Sequence, residues 1–163
     1  MHNIKKKIRI GILGLGGVGG FFGGKLALFY SEDPEVEIVF IARGETLKNI
    51  RSNGLKLKTG DQNYVINPSL ATDDTKELGE LDALIVCVKS YSLVDAVKKY
   101  QSKLSHGAII ITTQNLIDQR EQLQPILDPG INHLNGCVYI LSNIIQPGEI
   151  FHKGGAWKVL FWN

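Results

Sequence analysis

Five of the seven residues from Gly14 to Gly20 are glycine, and Gly14-Leu15-Gly16-Gly17-Val18-Gly19 has the spacing G-x-G-x-x-G. Residues 8–13 (IRIGIL) precede this loop and read as a buried strand, while residues 21–30 (FFGGKLALFY) follow it and read as a helix. A glycine loop between a strand and a helix has a specific physical use. Gly14 permits the tight turn. Gly16 has no Cβ, so a pyrophosphate can approach its backbone. Gly19 lets the helix pack close to the strand. The helix then offers free N–H groups and the positive end of its dipole to an anion. The plainer alternative is a purely structural turn. A Walker A loop does not fit, because no Gly-Lys-Ser/Thr follows.

The rest of the chain alternates strands and helices. Residues 37–42 (EIVFIA) predict a second buried strand, with Arg43-Gly44 directly after it. A short helix over 46–53 closes at Gly54, and residues 55–58 and 64–67 flank a Lys-Thr-Gly-Asp turn that signals a hairpin. A weak helix over 73–78 precedes the best-defined strand, 82–88 (DALIVCV). Then come a helix over 92–104, a strand over 108–113 and a helix over 118–127 stopped by Asp128-Pro129-Gly130. Strands over 136–142 and 149–152, joined by Gln146-Pro147-Gly148, and a last strand over 158–161 complete the pattern. The expected class is α/β, a Rossmann-type doubly wound fold with a mainly parallel sheet and helices on both faces.

Length and composition suit a single domain over residues 1–163, with 44% hydrophobic and 21% charged residues. A net charge of +2 provides no basic footprint, so nucleic acid is not an expected partner. No apolar run is long enough for a transmembrane helix, and a membrane partner is not expected. Only two cysteines, Cys87 and Cys137, fit a reducing cytoplasm rather than a disulfide scaffold. Lys5-Lys6-Lys7 reads as a solvated lead-in to the first strand, since glycines break the apolar stretch that a signal peptide would need. His2, His106, His133 and His152 are scattered, so no metal site is expected. Cys87, amid apolar strand residues, reads as an inert core thiol, and Tyr91 reads as packing a turn, with lining the cleft as the alternative.

Three polar residues fall at the ends of predicted strands, where open parallel sheets bind ligands. An acidic residue ending the second strand would hold the ribose hydroxyls of NAD; here Arg43 takes that place. A guanidinium suits a 2′-phosphate, which it can meet with bidentate hydrogen bonds, so the expected cofactor is NADP(H). The alternative is an ordinary loop arginine. Lys89 and Asn115 end the next two predicted strands and could form a rim around the same crevice. Taken singly, each is more often a solvated loop residue.

In this order the residues resemble the ketopantoate reductase (2-dehydropantoate 2-reductase) family. The resemblance runs through Gly14-x-Gly16-x-x-Gly19 with Phe22-Gly23, Ala42-Arg43, Asn53-Gly54-Leu55 and Val86-Cys87-Val88-Lys89-Ser90-Tyr91. It continues through Gln114-Asn115, Glu121 and Pro147-Gly148-Glu149-Ile150, then His152-Lys153-Gly154. It implies that the loop from Gly14 through Leu15, Gly16, Gly17 and Val18 to Gly19 holds the cofactor, with Arg43 on the 2′-phosphate and Lys89 on the cofactor side of the cleft. It implies that Asn115 touches both cofactor and ketopantoate, and that Ser142 makes a backbone contact near the nicotinamide. The reaction implied is the NADPH-dependent reduction of ketopantoate to pantoate, for pantothenate and coenzyme A, in the cytoplasm.

Two departures from the family pattern stand out. The family has Asn-Gly-x-Gly where this chain has Asn115-Leu116-Ile117-Asp118, so Leu116 and Asp118 replace glycines. The family also carries a helical C-terminal domain that supplies the proton-donating lysine. This chain stops at Phe161-Trp162-Asn163, about where that domain would begin. The expectation is the cofactor half of a reductase, with no catalytic acid in this chain. Trp157, Phe161 and Trp162 are then either apolar surface for that domain or simple strand packing. A dehydrogenase of similar plan for another 2-oxo acid, and a nucleotide-sensing regulatory domain without chemistry, stay open, as does a homodimer.

Overall fold

The computed structural model describes residues 6–116 and 118–162, so His2, Lys5, Ile117 and Asn163 lie outside the described residues. The chain begins β1 (Ile8–Leu13), α1 (Gly17–Phe29), β2 (Val36–Ile41), α2 (Gly44–Asn53), β3 (Leu55–Thr59), β4 (Gln62–Ile66) and β5 (Leu70–Thr72). It continues through α3 (Thr75–Leu78), β6 (Leu81–Val86), α4 (Leu93–Tyr100), β7 (Leu104–Thr112) and α5 (Gln119–Leu123). It ends with β8 (Asn132–Tyr139), β9 (Ser142–Gln146), β10 (Glu149–His152) and β11 (Lys158–Trp162).

Seven strands form one sheet in the order β11-β8-β7-β6-β1-β2-β5. Every neighbouring pair is parallel except β8 and β11. From β1 the chain goes to β2 and β5 on one side, then crosses to β6, β7 and β8 on the other. Strand order therefore reverses beside β1, which opens a crevice at the carboxyl ends of β1 and β6.

The central strands β1, β2 and β6 are largely apolar because both faces of the sheet are covered there. On one face Ile12, Ile38 and Phe40 join a core with Phe21 of α1; on the other, Leu13, Val39 and Ile41 meet Leu78 of α3, Leu93 and Val97 of α4, and Leu123 of α5. The α/β fold with a mainly parallel sheet and helices on both faces is as the alternating pattern predicts.

A second sheet, β4-β3-β10-β9, lies against the outer side of α1. The sequence pattern does not foretell it, because β3 pairs in parallel with β10 across most of the chain. Sandwiched between two sheets, α1 (GVGGFFGGKLALF) is apolar nearly all round. Its glycines are where the sheets close in. A Cβ on Gly23 would stand 2.9 Å from Ile12, one on Gly20 2.5 Å from Ile150, and one on Gly24 3.0 Å from Ile66.

Several expected boundaries shift. The strand before the Gln146-Pro147-Gly148 turn is β9, whereas β8 starts earlier and belongs to the main sheet, paired with β7 from Asn132 onward. The helix expected over 118–127 is only Gln119–Leu123, because Pro125 has no N–H to continue it. The helix expected over 92–104 ends at Tyr100, and β7 begins at Leu104. The three-residue β5, too short to carry a pattern, closes the sheet edge.

Lys6 of the lead-in pairs with Glu80 and Asp82, and Lys7 with Glu37. Among the described residues, no helix is long and apolar enough to cross a membrane.

His152 of β10 is buried against the Phe21 ring, with centroids 4.5 Å apart, and its Nδ1 lies 2.8 Å from Thr59 Oγ1. Burial, with Lys25 nearby, lowers its pKa from the ordinary 6.5, and burial lowers His133 likewise. The unfolded chain therefore takes up protons at a higher pH than the folded one. Stability is full above the unfolded value and falls as pH drops below it toward the folded values. Urea midpoints should decrease from about pH 7 to about pH 5, and His152→Phe should flatten that decrease. An unchanged slope in the variant would remove His152 as a cause.

Candidate functional site

The glycine loop leaves β1 and enters α1 at Gly17. Gly14 takes φ 93°, a left-handed conformation, and a Cβ on it would stand 3.1 Å from Val88. A Cβ on Gly19 would overlap the Gly14 carbonyl oxygen, so only glycine allows α1 to start this close to the strand. Gly16 behaves differently. The nearest atom to its would-be Cβ is Ile144 Cδ1 at 3.9 Å, so its backbone faces open space. Gly16 caps α1 with no side-chain hydrogen bond, and no acidic residue lies in the first turn. The helix thus starts beside the crevice, at its wall residue Gly16, with no carboxylate in the first turn to offset the dipole's positive end.

The crevice is a cleft of about 600 Å³ whose wall includes Gly14, Leu15, Gly16, Arg43 and Lys89. Such a volume suits a sizeable small-molecule ligand. Arg43 follows β2 and begins α2; among the described residues its side chain makes no ion pair or hydrogen bond. Glu45, two residues on, is engaged with Lys48 at 2.7 Å. Lys89 is exposed after β6, at the start of a single 3-10 turn, Ser90–Ser92.

Of the two readings of Tyr91, the structure bears out the cleft one: it is 85% exposed on the wall and does not pack the turn. Other wall residues escaped the sequence reading. Asp73, Asp95 and Lys99 close the far end, where Lys99 Nζ donates to the Asp73 carbonyl at 3.1 Å. Apolar periodicity carries no signal for them, since hydrogen bonds from Lys99 and Tyr100 to the Asp73 carbonyl join α4 to the loop after β5. Cys87 is on the wall too; burial pushes its thiol up to about 11, so it stays protonated at neutral pH.

Gly17, Val18, Gly19, Asn115 and Ser142 do not line the cleft, although all adjoin its loops. Ser142 Oγ donates to the Gly17 carbonyl at 2.9 Å, which ties β9 to the start of α1. Asn115 is exposed beyond β7 with its amide engaged by β8. Its Oδ1 accepts from the Val138 N–H at 3.0 Å, and its Nδ2 donates to the Val138 carbonyl at 3.3 Å. No described residue other than glycine takes a positive φ, so Leu116 fits its loop without left-handed strain. The loop instead closes through the Leu116 N–H donating to the Gln114 carbonyl at 2.8 Å.

The order of these parts, and not any one of them, has a counterpart among known proteins. The family model described as ketopantoate reductase PanE/ApbA matches residues 10–160. The chain belongs to this family. Within the ketopantoate reductase family, it is 27% identical over 154 residues to an uncharacterized oxidoreductase, YkpB, of Bacillus subtilis, covering 93% of this chain and 48% of the relative. It is 29% identical over 151 residues to a 2-dehydropantoate 2-reductase of Halobacterium salinarum, covering 91% and 47%. The crystal structure of 2-dehydropantoate 2-reductase from Porphyromonas gingivalis superposes with a TM-score of 0.88 at 32% identity, covering 96% of this chain and 55% of that one. The chain spans about half the length of the curated relatives it matches.

Proposed function

We propose that this chain is the NADPH-binding part of a cytoplasmic reductase that reduces a small 2-oxo acid, with ketopantoate (2-dehydropantoate) as first candidate. The observation that carries the reading is the pairing, in one cleft, of the open Gly16 backbone with the Arg43 guanidinium, which has no partner among the described residues. A dinucleotide fits this wall: the space a Cβ would fill at Gly16 can admit a pyrophosphate, while Gly14 and Gly19 hold the turn. The loop N–H groups from Gly14, Leu15, Gly16, Gly17, Val18 and Gly19 neutralise the pyrophosphate. Arg43 meets the 2′-phosphate, and Lys89 adds a second cation. Asn115 exchanges its bonds to Val138 for cofactor and substrate, and Ser142 holds the nicotinamide end through its backbone. When bound, NADPH supplies hydride to the carbonyl carbon. This chain's part is to orient it. We assign the proton donor to no residue of this chain.

Nicotinamide fluorescence titrations test the reading directly. NADPH should bind at least about tenfold more tightly than NADH, and Arg43→Ala should erase that preference by weakening NADPH alone. Equal or tighter binding of NADH would favour a nucleotide-sensing domain instead. Leu116, in place of a family glycine, supports a second reading in which another 2-oxo acid is the substrate. Turnover of such an acid but not of ketopantoate, by this half joined to the rest of a reductase, would select it.

A further inference from the structure

We propose that Gln114 is a positioning residue that sets Lys89 in the cleft, an inference resting on the reading of Lys89 as a cofactor contact. β6 ends at Val86, and the chain must turn sharply to bring Lys89 to the cleft wall. One side of that turn is fixed by β1: the Cys87 N–H donates to the Leu13 carbonyl at 2.7 Å, and Val88 packs against Gly14. The other side is fixed by Gln114, which is 7% exposed. Its Nε2 donates to the Val86 carbonyl at 3.1 Å and to the Val88 carbonyl at 2.7 Å. Val86 has further donors, the Thr113 N–H at 3.2 Å and Thr113 Oγ1 at 2.9 Å. Val88 has none besides Gln114 among the described residues. One side-chain amide thus spans the two carbonyls that bracket the turn into Lys89.

Gln114 is itself braced. Gln119 of α5 donates its Nε2 to the Gln114 carbonyl and, at 2.9 Å, to the Leu116 carbonyl. Gln119 is fully buried. The brace runs from α5 through the β7 loop to the turn after β6, and it ends at a lysine whose side chain has no ion-pair or hydrogen-bond partner among the described residues. Among the described residues the Gln114 amide hydrogen-bonds only to backbone carbonyls, so it acts through the backbone that leads into Lys89.

A double-mutant cycle on this chain separates the two claims, with NADPH affinity read by fluorescence and folding checked by thermal melts. Lys89→Ala should weaken NADPH about tenfold. Gln114→Leu, which keeps the bulk and removes the donors, should weaken it about fivefold. With Lys89→Ala in place, Gln114→Leu should change affinity by less than about twofold. Full additivity would mean that Gln114 does not act through Lys89, and wild-type affinity in Gln114→Leu would overturn the inference as well. If Lys89→Ala leaves NADPH affinity unchanged, or the wild-type chain binds no NADPH, the cofactor reading of Lys89 fails and takes this inference with it. If Gln114→Leu does not fold, Gln114→Asn retains the amide one methylene short, and hydrogen exchange replaces affinity as the readout. Exchange should then quicken at residues 88–92 while β1 stays protected, and unchanged exchange there would refute the brace.

Discussion

Gly19→Ala should cost about 3 kcal/mol of stability and abolish NADPH binding, whereas Gly16→Ala should leave the melt nearly unchanged and lose only the nucleotide. The difference follows from what each Cβ would meet. At Gly19 it overlaps the Gly14 carbonyl, a backbone atom fixed at both ends by β1 and the turn, so α1 itself must move. At Gly16 nothing lies closer than 3.9 Å, and the backbone, at φ −78°, suits alanine. There the methyl group fills only the space proposed for the pyrophosphate, and affinity should fall at least about tenfold with the fold intact. Paired melts and fluorescence titrations read both effects. Normal NADPH binding by Gly16→Ala would remove the glycine loop from the proposed site.

Phe21→Ala should be as damaging to stability, at about 3–5 kcal/mol, or a fall in melting temperature of roughly 10 °C. Phe21 is 1% exposed in the second turn of α1. Its ring lies 5.2 Å from Phe22, 5.9 Å from Trp157 and 4.5 Å from His152, so it joins α1 to the second sheet. Removing it leaves a cavity where the helix meets β10. Phe21→Leu should cost under about 1.5 kcal/mol, since most of the volume remains. Equal losses in the two variants would show that the site collapses on truncation.

The parts of the site that are local in sequence were legible there. The turn at Gly14, the start of α1 and the close approach at Gly19 follow from spacing, because each need is met within a few residues. Arg43 and Lys89 were legible because a strand pattern ends just before each. The second sheet was not legible, since β3 pairs with β10, a partner far away in the sequence. For the same reason Gly20 and Gly24 registered only as an excess of glycine: the side chains that press on them, Ile150 and Ile66, lie on that sheet. Tyr91, Asp73 and Lys99 reach the cleft through packing of the turn after β6 and of α4, for which no periodic signal exists. Gln114 stood beside Asn115 in the family pattern, but its grip on Val88 depends on a turn seen only in three dimensions.

The small sheet has a consequence for how this chain can be divided. Its strands β3 and β4 precede β5 to β8, while β9 and β10 follow them, and the Lys56 N–H donates to the Gly148 carbonyl where the two pairs meet. Strands β5 to β8 of the main sheet thus lie inside a loop whose two ends clasp each other across α1, and β11 rejoins the main sheet beyond it. Any cut between β4 and β9 divides the clasp, so the two sheets are not modules that could be exchanged separately. They are a single indivisible scaffold, and a change to the β9–β10 hairpin is carried directly to Gly17 through Ser142.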